Sequence, residues 1–210
     1  MTPGQLEPPK TRQRPSPLRR WRRVLTLVVV VAALACAADY GVWVVFRHRL
    51  IAIDDGSVFQ SAEIPPEQLV EVSKARGIKA VIDLRDTRPD AIEAERKALQ
   101  AAGIEHLHVP SLQDPTPETI ATVLDLMGDP RHQPLLVHCE HGEGRSVLMA
   151  ALYRIEKKGF SNEDAWRASA RLPAELQFLA GWFPGLAAFD RDSPKGRILF
   201  DFKPLSAQGH

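Results

Sequence analysis

A long apolar stretch near the N-terminus constrains the architecture of this 210-residue chain more than any other feature. Val24–Phe46 spans 23 residues, of which only Asp39 is charged. As an α-helix the stretch would be roughly 34 Å long, enough to cross a hydrocarbon core of about 30 Å. Asp39 would cost about 2–3 kcal/mol at mid-membrane and less near an interface. We therefore predict one N-terminal transmembrane helix, a signal anchor, over residues 24–46.

The segment before this stretch is strongly basic. Residues 1–23 carry seven basic side chains and one acidic one, a net charge of +6, together with five prolines. Such a composition buries too little apolar surface to offset chain entropy, which predicts a disordered tail. Only Arg47 and Arg49 follow the stretch closely. The positive-inside rule then places the tail in the cytoplasm and residues 50–210 outside it, in the periplasm if the cell is bacterial.

Two alternatives to an anchor stay open. A basic segment, an apolar stretch and Ala-x-Ala options near residues 33–38 also fit a cleaved signal peptide, which would release a soluble periplasmic domain. The apolar character resumes after Asp39, and this favours an uncleaved anchor. Cys36 also suggests a lipid-attachment site, although Ala33 stands where a larger aliphatic residue is typical.

Residues 50–210 are predicted to form one α/β domain with a largely parallel central sheet flanked by helices, because helical and short apolar segments alternate. The predicted helices cover 65–76, 90–102, 116–127 and 144–158, and Ser161 and Asp164 open another; the predicted strands cover 78–84, 104–109 and 135–138. Asp90 and Glu93 are predicted to form a capping box. Trp166, Trp182 and Phe183 are interpreted as packing residues, and 181–202 has no clear pattern.

The strand predicted over 135–138 runs directly into the loop CEHGEGRS and then into a helix. A loop entering a helix N-terminus directs backbone N–H groups into one cup, which binds an oxyanion and stabilises a thiolate at Cys139. Arg145 offers a planar fork for two phosphate oxygens. Gly142 and Gly144 permit close backbone approach, and Ser146 can donate a hydrogen bond to the sulfur.

The pattern His138-Cys139-x-x-Gly142-x-x-Arg145-Ser146 resembles the signature loop of the cysteine-dependent protein tyrosine and dual-specificity phosphatases. The resemblance to their small bacterial tyrosine-phosphatase-like group covers about residues 55–175, including SVFQSAEIPPEQL and GIKAVIDLRD. It implies a dual-specificity-phosphatase-like fold, a phosphocysteine intermediate on Cys139, and no metal or organic cofactor. The implied substrate-binding residues are Glu140, His141, Gly142, Glu143, Gly144 and Arg145.

The resemblance also implies two further roles. His138 would hydrogen-bond within the loop, and an aspartate on a separate loop would protonate the leaving oxygen. Asp114 matches that aspartate best, although it could instead start a turn or cap the following helix. Asp125 and Asp129 fit less well, because the first falls within a predicted helix and the second in the turn after it.

Other polar residues have simpler interpretations. Arg85 could reach the site or form a structural ion pair with Asp83 or Asp86. The histidines that could suggest zinc are more often satisfied core or surface residues, so we predict no metal site; they are His106, His108, His138 and His141.

Charge bears on the substrate. Residues 50–210 contain 18 basic and 24 acidic residues, a net charge of −6, although the whole chain is at +1. Glu140 and Glu143 beside the anion cup would repel a multiply charged ligand. We expect a phosphorylated protein or small phosphomonoester, with phosphotyrosine favoured, phosphoserine and phosphothreonine open, and nucleic acid disfavoured.

The leading hypothesis is a membrane-anchored phosphatase. The alternatives are a catalytically weak pseudophosphatase acting as a membrane-tethered interaction module, or another thiolate enzyme such as a sulfurtransferase or arsenate reductase. Cys139 is the single cysteine of residues 50–210, which weakens the redox alternatives because no second thiol is present to resolve an oxidised one.

Overall fold

The computed structural model describes residues 17–170 and 189–205. The chain divides into two compact units, Met1–Val42 and Trp43–His210, so the second unit begins before the predicted domain boundary at residue 50. The predicted packing residues Trp182 and Phe183 lie outside the described residues.

Helix α1 spans Pro17–Val45. Its part Leu18–Val45 is long and apolar enough to cross a membrane, and a signal sequence near the N-terminus would meet the same criteria. The predicted disordered tail is wrong for residues 17–23, which are helical. Proline is favoured in the first turn of a helix, and leucine and arginine are good helix formers, so the helix extends beyond the apolar stretch.

Five short strands form the sheet: β1 Ile51–Asp54, β2 Val58–Ser61, β3 Ala80–Asp83, β4 Glu105–His108 and β5 Leu135–His138. Their order is β1-β2-β5-β3-β4, with β1 antiparallel to β2 and every other pair parallel. The predicted largely parallel α/β fold is confirmed. β1 and β2 were not predicted as separate strands, because these short segments lack the continuous apolar run that marks β5.

The helices of the second unit follow the strands: α2 Pro66–Arg76, α3 Pro89–Ala101, α4 Pro117–Gly128, α5 Arg145–Lys158, α6 Asn162–Ala168 and α7 Pro194–Asp201. The predicted bounds of α2 to α5 agree within one residue. Ser161 caps α6 by accepting a hydrogen bond from the Asp164 N–H. α7 lies in the segment for which the sequence predicted nothing.

The capping box predicted for α3 is wrong. Arg88 is the residue before the helix, with a φ of 66°, and Pro89 takes the first helical position. Proline suits that position because the missing N–H would have no helical partner there. Asp90 is thereby moved into the first turn, and Glu93 instead accepts hydrogen bonds from Arg96.

The sheet is covered on both faces, and successive residues of β5 point to opposite sides. Leu135 and Val137 pack in the cluster that includes α4 and α5, whereas Leu136 packs in the cluster that includes α2 and α3. Because β5 lies between β2 and β3, the loop after β5 is flanked by the segments that follow those two strands. This arrangement places the loop that begins at Cys139 between the chain segments that follow β2 and β3.

Candidate active site

Cys139 directly follows β5 and is 3% exposed. Its Sγ lies 3.3 Å from Ser146 Oγ, as the sequence predicted. The Ser146 hydroxyl is also 3.2 Å from the Ser61 carbonyl oxygen and accepts a hydrogen bond from the Gln60 amide. The hydroxyl has a single proton, which can be donated to the carbonyl or to a sulfur anion. Ser146 can therefore stabilise a thiolate by rotating its O–H toward the sulfur.

The loop 139–144 is held closely against the segment that follows β2. Gly142 has a φ of 66°, and a Cβ there would lie 2.6 Å from the Ala62 backbone nitrogen. Only glycine combines this left-handed backbone with so close an approach. Gln60 donates to the Gly142 carbonyl at 3.2 Å, and the Glu63 N–H donates to the Glu140 carbonyl at 3.2 Å.

Arg145 begins α5 and is 3% exposed. Its Nη1 donates to the Leu84 carbonyl at 3.0 Å, the Ser111 carbonyl at 2.7 Å and Asp86 Oδ1 at 2.7 Å. These acceptors follow β3 and β4, and they fix the plane of the guanidinium. The sequence suggested Asp86 as a partner of Arg85, whereas the structure pairs it with Arg145.

Arg85 has a structural role beneath the loop. Its guanidinium pairs with Asp83, Glu95 and Glu63, each at 2.7 Å, and the side chain is 1% exposed. Of the alternatives given for Arg85, the structure shows the ion pair with Asp83. Two further carboxylates share the same cation, which satisfies charges that would otherwise be very costly to bury.

His138 differs from its implied role. Its Nε2 lies 2.9 Å from Glu95 Oε1 on α3, and its buried Nδ1 has no hydrogen-bond partner among the described residues. The reason is strand alternation: His138 and Cys139 are consecutive, so their side chains point to opposite sides of the sheet. His138 therefore belongs to a buried ionic cluster with Asp83, Arg85 and Glu95, and its side chain faces away from the Cys139 sulfur.

That cluster also contains His106, whose Nε2 lies 3.5 Å from Asp83 and 3.3 Å from Glu95. Burial opposes protonation of His106, but the two carboxylates raise its pKa to about 9. Burial likewise opposes ionisation of Glu95, yet His138, His106 and Arg85 lower its pKa to about 2. Burial also disfavours the Asp83 carboxylate, but His106 and Arg85 hold its pKa well below its usual range.

Three members of the cluster have donor atoms close enough to hold a metal ion. The donor atoms of Asp83, Glu95 and His138 lie within 4.8 Å of one another. The Arg85 guanidinium contacts both carboxylates, however, and so already supplies a positive charge at this position. The donor set is thus explained without a metal.

Cys139 and Arg145 open on one cavity of about 350 Å³. Its lining comprises Gln113, Cys139, His141, Glu143, Gly144, Arg145, Phe189, Asp190, Ser193, Pro194 and Lys195. The loop residues were predicted, but the wall from 189–195 was missed. Ser193 followed by Pro194 is a readable helix start, since serine caps and proline suits the first turn. Nothing local in the sequence, however, indicates that this helix faces the loop.

Asp114 lies beside Gln113, which lines the cavity, and its side chain is 54% exposed. Its Oδ1 is 3.6 Å from Lys195 Nζ. Asp114 does not cap α4, because Thr116 accepts the hydrogen bond from the Thr119 N–H.

Residues 67–177 match the family described as DSP-PTPase phosphatase fused to NAD+ kinase. The chain belongs to this DSP-PTPase phosphatase family. A stretch of 112 residues is 29% identical to the dual specificity protein phosphatase TpbA of Pseudomonas aeruginosa PAO1, covering 52% of this chain and 48% of TpbA. A shorter match to TpbA of strain UCBPP-PA14 is 38% identical over 48 residues, covering 23% of this chain and 22% of that one. The chain thus spans no more than about half the length of these curated relatives.

Solved phosphatase structures share the fold of this DSP-PTPase chain. P. aeruginosa TpbA has a TM-score of 0.51 at 21% identity, covering 75% of this chain and 92% of that one. PTPMT1 has a TM-score of 0.56 at 19% identity, covering 72% and 92%. The catalytic domain of the PP-IP phosphatase SIW14 from S. cerevisiae has a TM-score of 0.51 at 17% identity, covering 71% and 90%.

The loop glutamates of this DSP-PTPase domain are paired with cations, which the sequence did not indicate. Arg49 Nη2 lies 2.5 Å from Glu143 Oε1, whereas Arg88 Nη1 donates to Glu63 Oε2 at 2.7 Å and lies 3.9 Å from Glu140 Oε1. The prediction that these glutamates repel a multiply charged ligand treated them as isolated charges. Their pairing reduces that repulsion, so the argument against such ligands is weaker than the sequence suggested.

Proposed function

We propose that this chain is a cysteine-dependent phosphatase that hydrolyses phosphomonoesters through a phosphocysteine intermediate. The observation that carries the proposal is the convergence of Cys139 and Arg145 on one cavity at the N-terminus of α5, with Ser146 against the sulfur. Membership of the DSP-PTPase family supports it. A thiolate, a fixed guanidinium and a helix N-terminus are the groups that phosphoryl transfer to sulfur requires.

In the first step the Cys139 thiolate attacks phosphorus. The S–P bond forms as the bond from phosphorus to the leaving oxygen breaks, and that oxygen takes a proton from a general acid. Arg145 directs Nη1 to three protein acceptors, and its Nε and Nη2, which have no acceptor among the described residues, can bind the phosphoryl oxygens. The positive end of α5 adds to this stabilisation of negative charge.

We propose Asp114 as the general acid. It lies in the segment between β4 and α4, beside the cavity wall, and Lys195 contacts its carboxylate. Asp190 is the competing carboxylate, because it lines the cavity itself. The Asp190 carboxylate accepts a hydrogen bond from the Asp192 N–H, so it already has a local structural role.

In the second step water attacks the phosphocysteine, and Asp114 as the base accepts a proton from that water. The S–P bond breaks and returns a thiolate on Cys139. Ser146 donates a hydrogen bond to the departing sulfur, which lowers the cost of developing negative charge there. Inorganic phosphate is released, and the enzyme returns to its starting state.

The proposed substrate is a phosphorylated protein or a small phosphomonoester, with phosphotyrosine favoured. The name of TpbA, a dual specificity protein phosphatase, supports a protein substrate and keeps phosphoserine and phosphothreonine open. The net charge of −6 over residues 50–210 disfavours nucleic acid.

We further propose that α1 anchors the chain in a membrane, with the N-terminus in the cytoplasm and the catalytic unit on the other side. The basic residues before the apolar stretch support this orientation. A reporter enzyme fused after residue 210 tests it: activity of a reporter that works only outside the cytoplasm is expected, and activity only of a cytoplasmic reporter would contradict it. Loss of the N-terminal segment from the mature protein would favour a signal peptide.

Turnover of p-nitrophenyl phosphate by the full chain in detergent tests the catalytic proposal. Cys139→Ser is expected to abolish turnover, and Asp114→Asn to lower kcat by about 10²–10⁴-fold. Asp190→Asn is the matched control, since it removes the same charge from a residue that lines the cavity, and it is expected to change kcat only a few-fold. Full activity of Cys139→Ser would refute the mechanism, and equal effects of the two aspartate variants would refute the role of Asp114. Binding of a phosphopeptide without turnover between pH 5 and 8 would favour the pseudophosphatase.

A further inference from the structure

The short segment that joins α1 to β1 contacts the phosphate-binding loop. Arg49 Nη1 donates to the His141 carbonyl at 3.0 Å, and Nη2 lies 2.5 Å from Glu143 Oε1. The side chains of Arg49 and Glu143 are 13% and 33% exposed, so the pair is largely removed from solvent. Both loop residues line the cavity that contains Cys139.

The backbone that presents Arg49 is itself fixed. The Arg49 N–H donates to the Trp43 carbonyl at 3.0 Å, and the Ala62 N–H donates to the His48 carbonyl at 2.8 Å. His48 and Arg49 have φ values of 46° and 54°. Two consecutive left-handed residues that are not glycine cost roughly 1 kcal/mol or more each. These contacts offset that cost and hold the guanidinium at the loop.

Three successive loop carbonyls are held by donors from one stretch of chain. Glu140 O accepts from the Glu63 N–H, His141 O from Arg49, and Gly142 O from the Gln60 side chain. In a trans peptide the C=O and the following N–H point in opposite directions. Fixing these carbonyls therefore turns the amides that follow them to the other side, as an anion-binding loop requires.

Arg49 has a second effect, which is electrostatic. Glu143 lines the cavity, so an unpaired carboxylate there would oppose the approach of a phosphate dianion. The Arg49 guanidinium neutralises that charge and fixes the peptide between His141 and Gly142 at the same time. A single cation outside the signature pattern thus adjusts both the shape and the charge of the loop.

We propose that Arg49 is a positioning residue for phosphate binding, acting through Glu143 and the His141 carbonyl. The proposal rests on the function proposed above, because it assigns the loop to phosphate. It predicts that removing Arg49 weakens binding of every phosphoryl ligand, raising KM much more than it lowers kcat. It also predicts that substrate affinity depends on the segment between α1 and β1, which contains Arg49.

The test measures p-nitrophenyl phosphate turnover and inhibition by inorganic phosphate for the full chain in detergent. Arg49→Ala is expected to raise both KM and the phosphate inhibition constant by about fivefold, with kcat changed less than twofold. Arg49→Lys keeps the charge but cannot contact the His141 carbonyl and Glu143 with two separate nitrogens, so it should recover part of the affinity. Arg96→Ala is the control, because it removes an equally charged side chain from a pair on the surface of α3.

A double-mutant cycle separates the two effects. Adding Glu143→Gln to Arg49→Ala is expected to restore the electrostatic part of the lost affinity and to leave the part due to the His141 carbonyl. Unchanged KM and phosphate inhibition in Arg49→Ala would overturn the proposal, as would an equal change in Arg96→Ala. If Arg49→Ala fails to fold, Arg49→Lys decides: phosphate affinity equal to wild type would overturn the proposal, and an intermediate loss would support it.

Failure of the proposed function would look different. If the wild type shows no turnover, direct calorimetric titration of Cys139→Ser with inorganic phosphate still measures loop affinity. A roughly fivefold loss in Cys139→Ser/Arg49→Ala would support the role of Arg49 in an inactive protein. Equal phosphate affinity of these two proteins would overturn it.

Discussion

Replacing Gly142 with alanine would place a methyl group against the backbone that follows β2. The new Cβ would lie 2.6 Å from Ala62 N and 2.8 Å from Ala62 Cα, whereas ordinary contact begins at 3.4 Å. The loop or Ala62 must then move by about 0.8 Å, because backbone atoms cannot rotate away as a flexible side chain can. The left-handed φ of 66° adds a conformational cost of about 1 kcal/mol for any residue with a Cβ.

Gly159→Ala is the matched control for this substitution. Gly159 has a φ of 69° at the end of α5, and a Cβ added there would have no described atom within 4 Å. It should therefore show the conformational cost alone, about 1 kcal/mol, while Gly142→Ala should lose about 2–4 kcal/mol of unfolding free energy. The difference between the two variants isolates the steric overlap.

The effect on catalysis should be larger than the effect on stability. A displacement approaching 1 Å in a group that binds the transition state can cost about 10²-fold in kcat/KM. Gly159→Ala should keep wild-type kcat/KM, since it lies at the far end of α5. Denaturant unfolding followed by tryptophan fluorescence and p-nitrophenyl phosphate turnover measure the two quantities. Equal unfolding free energies and equal kcat/KM for the two alanine variants would refute the reasoning.

Three further predictions concern the buried ionic cluster around Arg85, the contact of Ser146 with the Cys139 sulfur, and the segment between α1 and β1 that contains Arg49. Because the pKa of His106 is raised to about 9 from its ordinary 6.5, its contribution to stability is complete below pH 6.5 and is lost as the pH rises through 9. The contribution of Glu95, with a pKa of about 2, is complete above its ordinary 4.5 and is lost as the pH falls toward 2. Unfolding midpoints between pH 2 and 10 should show a decline at both ends, and His106→Gln should flatten the alkaline one. Ser146→Ala should slow hydrolysis of the phosphocysteine about 10-fold or more, seen as a burst of p-nitrophenol before a slow steady state. Removing residues 1–42 should leave phosphate affinity intact, whereas removing residues 1–49 should weaken it about fivefold in the same turnover assay.

Each of these has an outcome that would contradict it. A His106→Gln protein with the same alkaline decline as wild type would exclude this histidine as its cause. Steady-state turnover of Ser146→Ala at the wild-type rate, without a burst, would remove the serine from the second step. Equal phosphate affinity of the two shortened chains would show that residues 43–49 do not affect phosphate binding by the loop.

The sequence predicted the parts of the site whose geometry is local. The strand, the loop and the helix from Leu135 to Lys158 are contiguous, so a short stretch determines where Cys139, Arg145 and Ser146 lie. Strand alternation also predicts that His138 faces away from Cys139, and the wrong expectation came from the family resemblance. The helix bounds were predictable for the same reason, because proline and glycine mark them.

The remaining parts depend on tertiary contacts between distant segments. Arg49 meets His141 across 92 positions of sequence, and no local pattern carries that information. Lys195 reaches Asp114 only because α7 packs beside the loop that precedes α4. Asp86 was only one of two candidate partners for Arg85, its neighbour in sequence, but the two side chains leave the end of β3 in different directions, and Asp86 pairs with Arg145.

The ionic cluster beneath the loop has a consequence for how this protein can change by mutation. Arg85 holds Asp83 and Glu95 inside the protein, and His106 and His138 lie against the same carboxylates. Losing Arg85 leaves Asp83 and Glu95 as buried charges without their shared cation, which costs about 3–5 kcal/mol. Single substitutions here are therefore far more harmful than paired ones. Sequence drift at Asp83, Arg85 and Glu95 should therefore be concerted, so that related chains differ at all three together or at none.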